Sequence, residues 1–339
     1  MRPGLAPKRR PSIEWKRFPI AKPASTLAGS ALDRLAPEPY RPVMTGPTIA
    51  ETPALMRTTG WADYALVDSG AGRKLERYGP YHVVRPEPQC LWTPRLSAEV
   101  WDAADAVFDP TDEDEAGRWR FKDKPVDSWE LGWGEVKFHG RFTNFRHLAF
   151  FPEQAANWEW LDARQRAAGR PLKILNLFGY TGVASLVCAA AGAQVTHVDA
   201  SKQSVTRARE NAALSGIDSV RWIVEDARRF VQREDRRGSR YDGIILDPPK
   251  FGRGPDGEVW RLFEDLPEMI GLCAGLLSDE ASFLILNAYA ARISGASMAG
   301  LVAEATANRG GRIGWGELAL VEEAGDRQVG LSFFARWSS

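Results

Sequence analysis

The sequence predicts an α/β protein: a mostly parallel sheet covered on both faces by helices and preceded by a small β-rich domain. Three observations carry that prediction. From about residue 151, short apolar runs alternate with segments of helical period, the pattern of βαβ units. The chain ends in two alternating strands, Gly316–Glu322 and Val329–Trp337, joined by the turn Glu323-Ala324-Gly325-Asp326, so one strand closes the sheet antiparallel. Between residues 49 and 150, short apolar segments such as Tyr64–Val67 and His82–Val84 are cut by turns at Ser69-Gly70, Gly79-Pro80 and Pro86-Glu87-Pro88, as short strands are.

The elements of the larger part follow in order. Asn157–Ala168 is helical in period, Lys173–Phe178 is an apolar strand, and Gly182–Ala190 is a helix. Gln194–Asp199, Val220–Val224, Tyr241–Asp247 and Ser282–Asn287 read as strands. Lys202–Ser215, Ala227–Arg233 and Leu262–Leu277 read as the helices between them. Within 49–150, Trp92, Trp101, Trp119, Trp129 and Trp133 read as core anchors, and the acidic run from Asp109 to Glu115 as an exposed turn.

Composition narrows the class. The 339 residues are 44% hydrophobic and 26% charged, which excludes a disordered chain, a collagen-like fibre and a disulfide-stapled miniprotein. Lys plus Arg and Asp plus Glu are both 44, so no whole-molecule basic field exists to grip nucleic acid. The first 45 residues are the exception, with nine basic residues, three acidic ones and eight of the 22 prolines. Residues 1–48 therefore read as a mobile basic tail, either solvated or an arm for RNA phosphates. Cys90, Cys188 and Cys273 are odd in number and far apart, so no zinc pattern or disulfide framework follows. A reducing, cytoplasmic compartment is expected, with no membrane span, because no run of about 18 apolar residues exists.

The chemistry gathers at strand ends, where open α/β sheets bind ligands. The first strand runs into Asn176-Leu177-Phe178-Gly179-Tyr180-Thr181-Gly182. Its glycines allow a sharp turn and close approach of backbone to ligand. The spacing is neither a dinucleotide fingerprint nor a phosphate loop, so a nucleoside-like ligand without pyrophosphate is implied. Asp199, about 20 residues on, is placed to accept bonds from ribose hydroxyls. Asp226 stands where an acid either caps a helix or accepts a bond from an adenine amino group. The fourth strand ends in Asp247-Pro248-Pro249-Lys250-Phe251. The prolines stiffen the backbone and leave carbonyls and the Asp247 carboxylate as fixed acceptors, while Phe251 can stack on a planar ring. Such a site suits a nitrogen whose lone pair must be aimed at an electrophile.

These four strand ends, in this order, resemble those of class I S-adenosylmethionine-dependent methyltransferases over about residues 150–339. Asp247-Pro248-Pro249-Lys250-Phe251, with Phe151-Pro152-Glu153-Gln154, further resembles bacterial large-subunit rRNA methyltransferases of the cytosine-C5 and guanine-N7 kind. The resemblance implies a Rossmann-like seven-stranded sheet with an antiparallel last strand, and S-adenosylmethionine as cofactor. By it, Gln154, Asn176, Phe178, Gly179, Tyr180, Thr181, Gly182, Asp199, Ala200 and Ser201 surround the cofactor, and Asp226 and Ala227 flank its adenine. Asp247, Pro248 and Phe251 become the catalytic set, Lys250 and Arg253 substrate-binding groups, and large-subunit rRNA the expected substrate. Asn211 matches a recurrent helix position with no role attached.

Two departures from the family pattern shape the chemistry. A cytosine-C5 enzyme needs a thiolate nucleophile. In the relatives it follows strand five, where this chain has Leu286-Asn287-Ala288-Tyr289-Ala290. Methyl transfer to nitrogen is therefore preferred, with C5 chemistry through an unrecognised nucleophile as the alternative. The small RNA-binding domain that often begins these relatives is also missing. Transfer to a protein amide or small molecule, and a non-enzymatic RNA scaffold, remain rival readings. The arginines at 228, 229, 233, 236, 237 and 240 read as a solvated helix face, and His147 as structural.

Overall fold

A computed structural model describes residues 46–111, 116–280, 282–289 and 293–339. The expected tail lies outside these residues except for its last three, as do residues 112–115 of the acidic turn. In chain order the strands and helices begin with β1 (Thr48–Ile49), β2 (Ala54–Thr58), β3 (Tyr64–Gly70), β4 (Arg73–Tyr78), β5 (Tyr81–Pro86) and α1 (Ala98–Asp102). Next come β6 (Ala106–Pro110), β7 (Gly117–Phe121), β8 (Trp129–Trp133) and β9 (Val136–Gly140). A single 3-10 turn, Pro152–Gln154, leads into α2 (Ala155–Ala167). The alternating part runs β10 (Lys173–Leu177), α3 (Val183–Ala190), β11 (Gln194–Asp199), α4 (Lys202–Leu214), β12 (Arg221–Val224), α5 (Ala227–Arg236) and β13 (Gly243–Leu246). It ends with β14 (Phe251–Arg253), β15 (Val259–Arg261), α6 (Leu262–Gly275), β16 (Phe283–Tyr289), α7 (Gly295–Ala305), β17 (Arg312–Val321) and β18 (Gln328–Ser338).

The large sheet has the order β12-β11-β10-β13-β16-β18-β17. All neighbours up to β16 are parallel, and β18 runs antiparallel to both β16 and β17. That is the expected seven-stranded sheet. Two short strands extend it: β1 and β2 both pair parallel with β17, making nine. Residues 48–58, read from the sequence as the tail's end and the start of the β-rich segment, thus belong to the large sheet. The helix α7 and the β14–β15 hairpin are additions to the expected elements, the hairpin turning at Gly254-Pro255-Asp256-Gly257.

Side-chain alternation on the parallel strands divides the interior in two. Ile174, Ile245, Phe283 and Ile285 point to one face, against Trp158 and Leu161 of α2 and Leu186 and Val187 of α3. Leu175, Ile244, Leu246, Leu284 and Leu286 point to the other, against Phe230 and Val231 of α5, Met269 and Ile270 of α6 and Met298 of α7. The first core continues into the β-rich segment through Trp61, Tyr64, Tyr78, Phe138 and Phe150. That segment forms a five-stranded sheet, β3-β4-β5-β6-β7, beside the β8–β9 hairpin. Asn211 in α4 ties the hairpin down, since its Oδ1 accepts from His139 N at 2.9 Å and its Nδ2 donates to the Thr181 carbonyl at 2.9 Å.

Candidate active site

A cavity of about 1130 Å³ opens over the carboxyl ends of β10, β11 and β13. Every residue assigned to the site from sequence lines it, from Gln154 and Asn176 through the glycine loop to Arg253. What each contributes is set by the local backbone.

The turn after β10 is tight because Phe178 (φ 56°) and Tyr180 (φ 50°) both adopt the left-handed conformation, which costs non-glycine residues about 1–3 kcal/mol each. The sharpest bends therefore fall beside Gly179 rather than on it. Gly179 is required by close packing: a Cβ there would lie 2.5 Å from the buried His197 ring. Gly182, at φ 84°, does need glycine's freedom. The loop is pinned from outside by Thr181 Oγ1, which donates to the Ala149 carbonyl at 2.6 Å. Asn176 turns away from a ligand, because its Nδ2 donates to Ser185 Oγ at 2.9 Å and so braces β10 against α3.

Asp199 accepts from the Tyr180 amide at 2.9 Å through Oδ2 and from the Ser201 amide at 2.8 Å through Oδ1. Those bonds fix the carboxylate at the cavity wall, and each oxygen keeps a lone pair for a ribose hydroxyl. Burial pushes its pKa up, against the two amide bonds that favour the charged form. Asp226 takes the helix-cap role, with Oδ1 accepting from the Arg229 amide at 3.0 Å, while still lining the cavity.

Asp247 is half-buried at the cavity wall, and desolvation reinforced by the neighbouring Glu153 pushes its pKa up to about 7. Gln154 Nε2 donates to its Oδ2 at 3.2 Å. Of the two prolyl carbonyls expected as free acceptors, that of Pro249 is taken by the Trp260 indole at 2.7 Å. The β14–β15 hairpin thus holds the loop in place, with Trp260 also 4.9 Å from the Phe178 ring. Phe251 stands at the rim, 52% exposed, as a stacking residue should.

His147 lines the cavity with Tyr180, whose hydroxyl is 3.3 Å from His147 Nδ1. Burial lowers its pKa to about 4, so it is neutral at physiological pH. The arginine run is spoken for in large part: Arg228 pairs with Asp265, Arg229 with Asp256 and Glu258, Arg233 with Glu225 and Arg237 with Glu234. All three cysteines are buried, none lines the cavity, and burial raises each thiol pKa.

Sequence reasoning missed the opposite wall. Pro86 to Gln89, Phe108, Pro110 and Arg146 face the strand ends, with Asn157, Asn287 and Tyr289 between. Only the alternation of β16 could have flagged Asn287, a polar residue at an inward position of an otherwise apolar strand.

The model of the S-adenosylmethionine-dependent methyltransferase family matches residues 109–282, half of the chain. The chain belongs to that family. A crystal structure of a SAM-dependent methyltransferase from Agrobacterium tumefaciens is 50% identical, superposes with a TM-score of 0.82, and is matched over 86% of this chain and 95% of that one. Among curated proteins, ribosomal RNA large subunit methyltransferase K/L of Shewanella frigidimarina is 34% identical over 116 residues, covering 34% of this chain and 16% of the relative. Ribosomal RNA large subunit methyltransferase I of Aeromonas hydrophila is 30% identical over 147 residues, 42% of this chain and 33% of the relative. The matched stretches thus span a third or less of these curated relatives. The methyltransferase uses S-adenosylmethionine, and the residues present fit it: a nucleoside-sized space, a glycine turn without the spacing of a phosphate loop, and a backbone-oriented acid for ribose. No helix among the described residues is long and apolar enough to cross a membrane.

Proposed function

We propose that this methyltransferase modifies a base nitrogen in large-subunit ribosomal RNA in the cytoplasm. The observation that carries the reading is the placement of Asp247-Pro248-Pro249-Lys250-Phe251 in the same cavity as Asp199 and the glycine loop, with every cysteine elsewhere. The names of the curated relatives support RNA as the substrate.

In this reading Phe178 to Gly182, with Asp199, Ala200 and Ser201, hold the methionine and ribose, and Asp226 and Ala227 border the adenine. Gln154 completes that wall, and Asn176 braces it from behind through Ser185. The bound sulfonium supplies a methyl carbon already activated for displacement by a nitrogen lone pair. The protein's task is alignment, which can supply up to about 7–11 kcal/mol. Asp247 accepts an N–H of the target, so turns its lone pair toward the methyl group, and takes that proton as the N–C bond forms and the S–C bond breaks. Phe251 stacks on the ring, and a base drawn from its helix costs a few kcal/mol to unstack. Lys250 and Arg253 contact flanking phosphates. Residues 49–150 hold RNA against the wall made by Pro86 to Gln89.

Mass-spectrometric mapping of large-subunit rRNA from cells lacking the protein, against the parent strain, tests this. Loss of one nitrogen-bound methyl group is expected. An identical modification map, or loss of a carbon-bound methyl, would overturn it.

A further inference from the structure

Arg336 lies on β18 opposite Ile285 of β16, so it faces α2 from inside the sheet. It is buried, and its hydrogen bonds among the described residues go to an amide and a carbonyl oxygen, not to a carboxylate. Its guanidinium donates to Asn157 Oδ1, through Nε at 3.0 Å and also through Nη2. A guanidinium can only donate, which settles the orientation of everything beyond it. Asn157 must accept with its oxygen, so its Nδ2 donates, to Gln154 Oε1 at 2.7 Å and to Asn287 Oδ1 at 2.9 Å. Gln154 is left with its Nε2 toward Asp247. Asn287, 2% exposed and part of the cavity lining, is left with an Nδ2 that has no protein partner among the described residues.

Register places the two ends of this relay together. Leu246, the last residue of β13, pairs with Leu286 of β16, so Asp247 and Asn287 are the next residues on two adjacent chain segments, joined through Gln154 and Asn157. Both continue the α2-facing parity of Ile245 and Ile285. The cavity floor therefore presents a carboxylate acceptor next to an amide donor.

We propose that Asn287 is a specificity residue which, beside Asp247, selects a base edge carrying an exocyclic amine next to an unprotonated ring nitrogen, as in cytosine or adenine. Asn157 and Arg336 are its positioning residues. This rests on the base-methyltransferase reading and narrows it to amino bases. Asp247 takes the amine N–H and Asn287 donates to the ring nitrogen. A uracil edge offers the reverse order, an oxygen against the carboxylate and an N–H against the amide nitrogen, and leaves both protein groups mismatched.

Cytidine and uridine are isosteric probes of opposite polarity. Their binding is measured by NMR titration of the full-length protein saturated with S-adenosylhomocysteine, which blocks the cofactor's own nucleoside site. The expected result is a preference for cytidine of about tenfold or more. Asn157→Asp keeps a partner for Arg336, now as an ion pair, but can no longer donate. Asn287 then turns its amide, and the preference for cytidine is lost or reversed while the melting temperature holds. Asn287→Asp, which removes the donor outright, should also abolish it, with S-adenosylhomocysteine affinity unchanged within about twofold. Equal binding of the two nucleosides by the wild type, no binding of either, or a preference untouched by both variants would overturn the inference. An unmodified rRNA map alongside intact discrimination would instead sink the rRNA reading alone.

Discussion

Glu76, in the middle of β4, is a fully buried carboxyl group, and Asp247, just past the end of β13, is a half-buried one on the cavity wall. Burial pushes both pKa values up. At Glu76 that push is overcome: Arg85 donates to both carboxylate oxygens at 2.7 Å, Tyr64 donates at 2.8 Å, and the Lys74 ammonium lies 3.7 Å away. Its pKa falls to about 2. Around Asp247 there is one neutral amide donor and a second acid, Glu153, itself raised chiefly by burial. Its pKa rises to about 7. The first carboxylate is satisfied and serves packing. The second has no partner on the cavity side among the described residues, a place for a ligand to fill.

The two regions should respond oppositely when disturbed. The largest stability effect is expected from Glu76→Gln, which removes the charge partner of the buried Arg85, leaves Lys74 with Glu87 alone, and should cost about 3–5 kcal/mol in chemical denaturation. A loss below about 1 kcal/mol would show that the cluster is not held by charge. Asp199→Ala removes the ribose acceptor and should weaken S-adenosylhomocysteine by about 1–3 kcal/mol, read by calorimetry. Unchanged affinity would remove Asp199 from the cofactor site.

The pH profiles sharpen the contrast. Glu76 has a depressed folded pKa, so its contribution is present above its ordinary value of 4.5 and is lost as pH falls toward about 2. Asp247 has a raised folded pKa, so ionising it costs stability as pH rises through about 7. Asp247→Asn should therefore raise the melting temperature at pH 8 more than at pH 5. Turnover needs the ionised acceptor and should rise about tenfold per pH unit below 7, then level off. A flat profile between pH 5.5 and 8 would contradict that role. Smallest of all is the expected effect of replacing the three cysteines by alanine, which should leave turnover within about twofold.

Much of this architecture was legible because period and position speak locally. Gln194–Asp199 forms as read, and the other parallel strands fall within a few residues of their expected ends. The strand-end acids were findable because an open sheet concentrates its ligand contacts there. What stayed hidden depends on distant partners. Pro249 shows a rigid acceptor in sequence, but its carbonyl is consumed by Trp260, eleven positions on; Gly254-Pro255-Asp256-Gly257 between them marks a turn without saying which groups it brings together. Asn157, Asn287 and Arg336 are separated by up to 179 positions and meet only because α2 lies across β16 and β18. The strain at Phe178 and Tyr180 was likewise illegible, since aromatic residues do not advertise a left-handed backbone.

The central claim is that Asp247, as an acceptor, aligns the target nitrogen. Single-turnover methyl transfer from radiolabelled S-adenosylmethionine to large-subunit RNA from cells lacking the protein tests it, comparing the wild type with Asp247→Asn. The account predicts a rate at least about a hundredfold lower in the variant, with S-adenosylhomocysteine affinity unchanged within threefold. A variant that transfers the methyl group at the wild-type rate would contradict it.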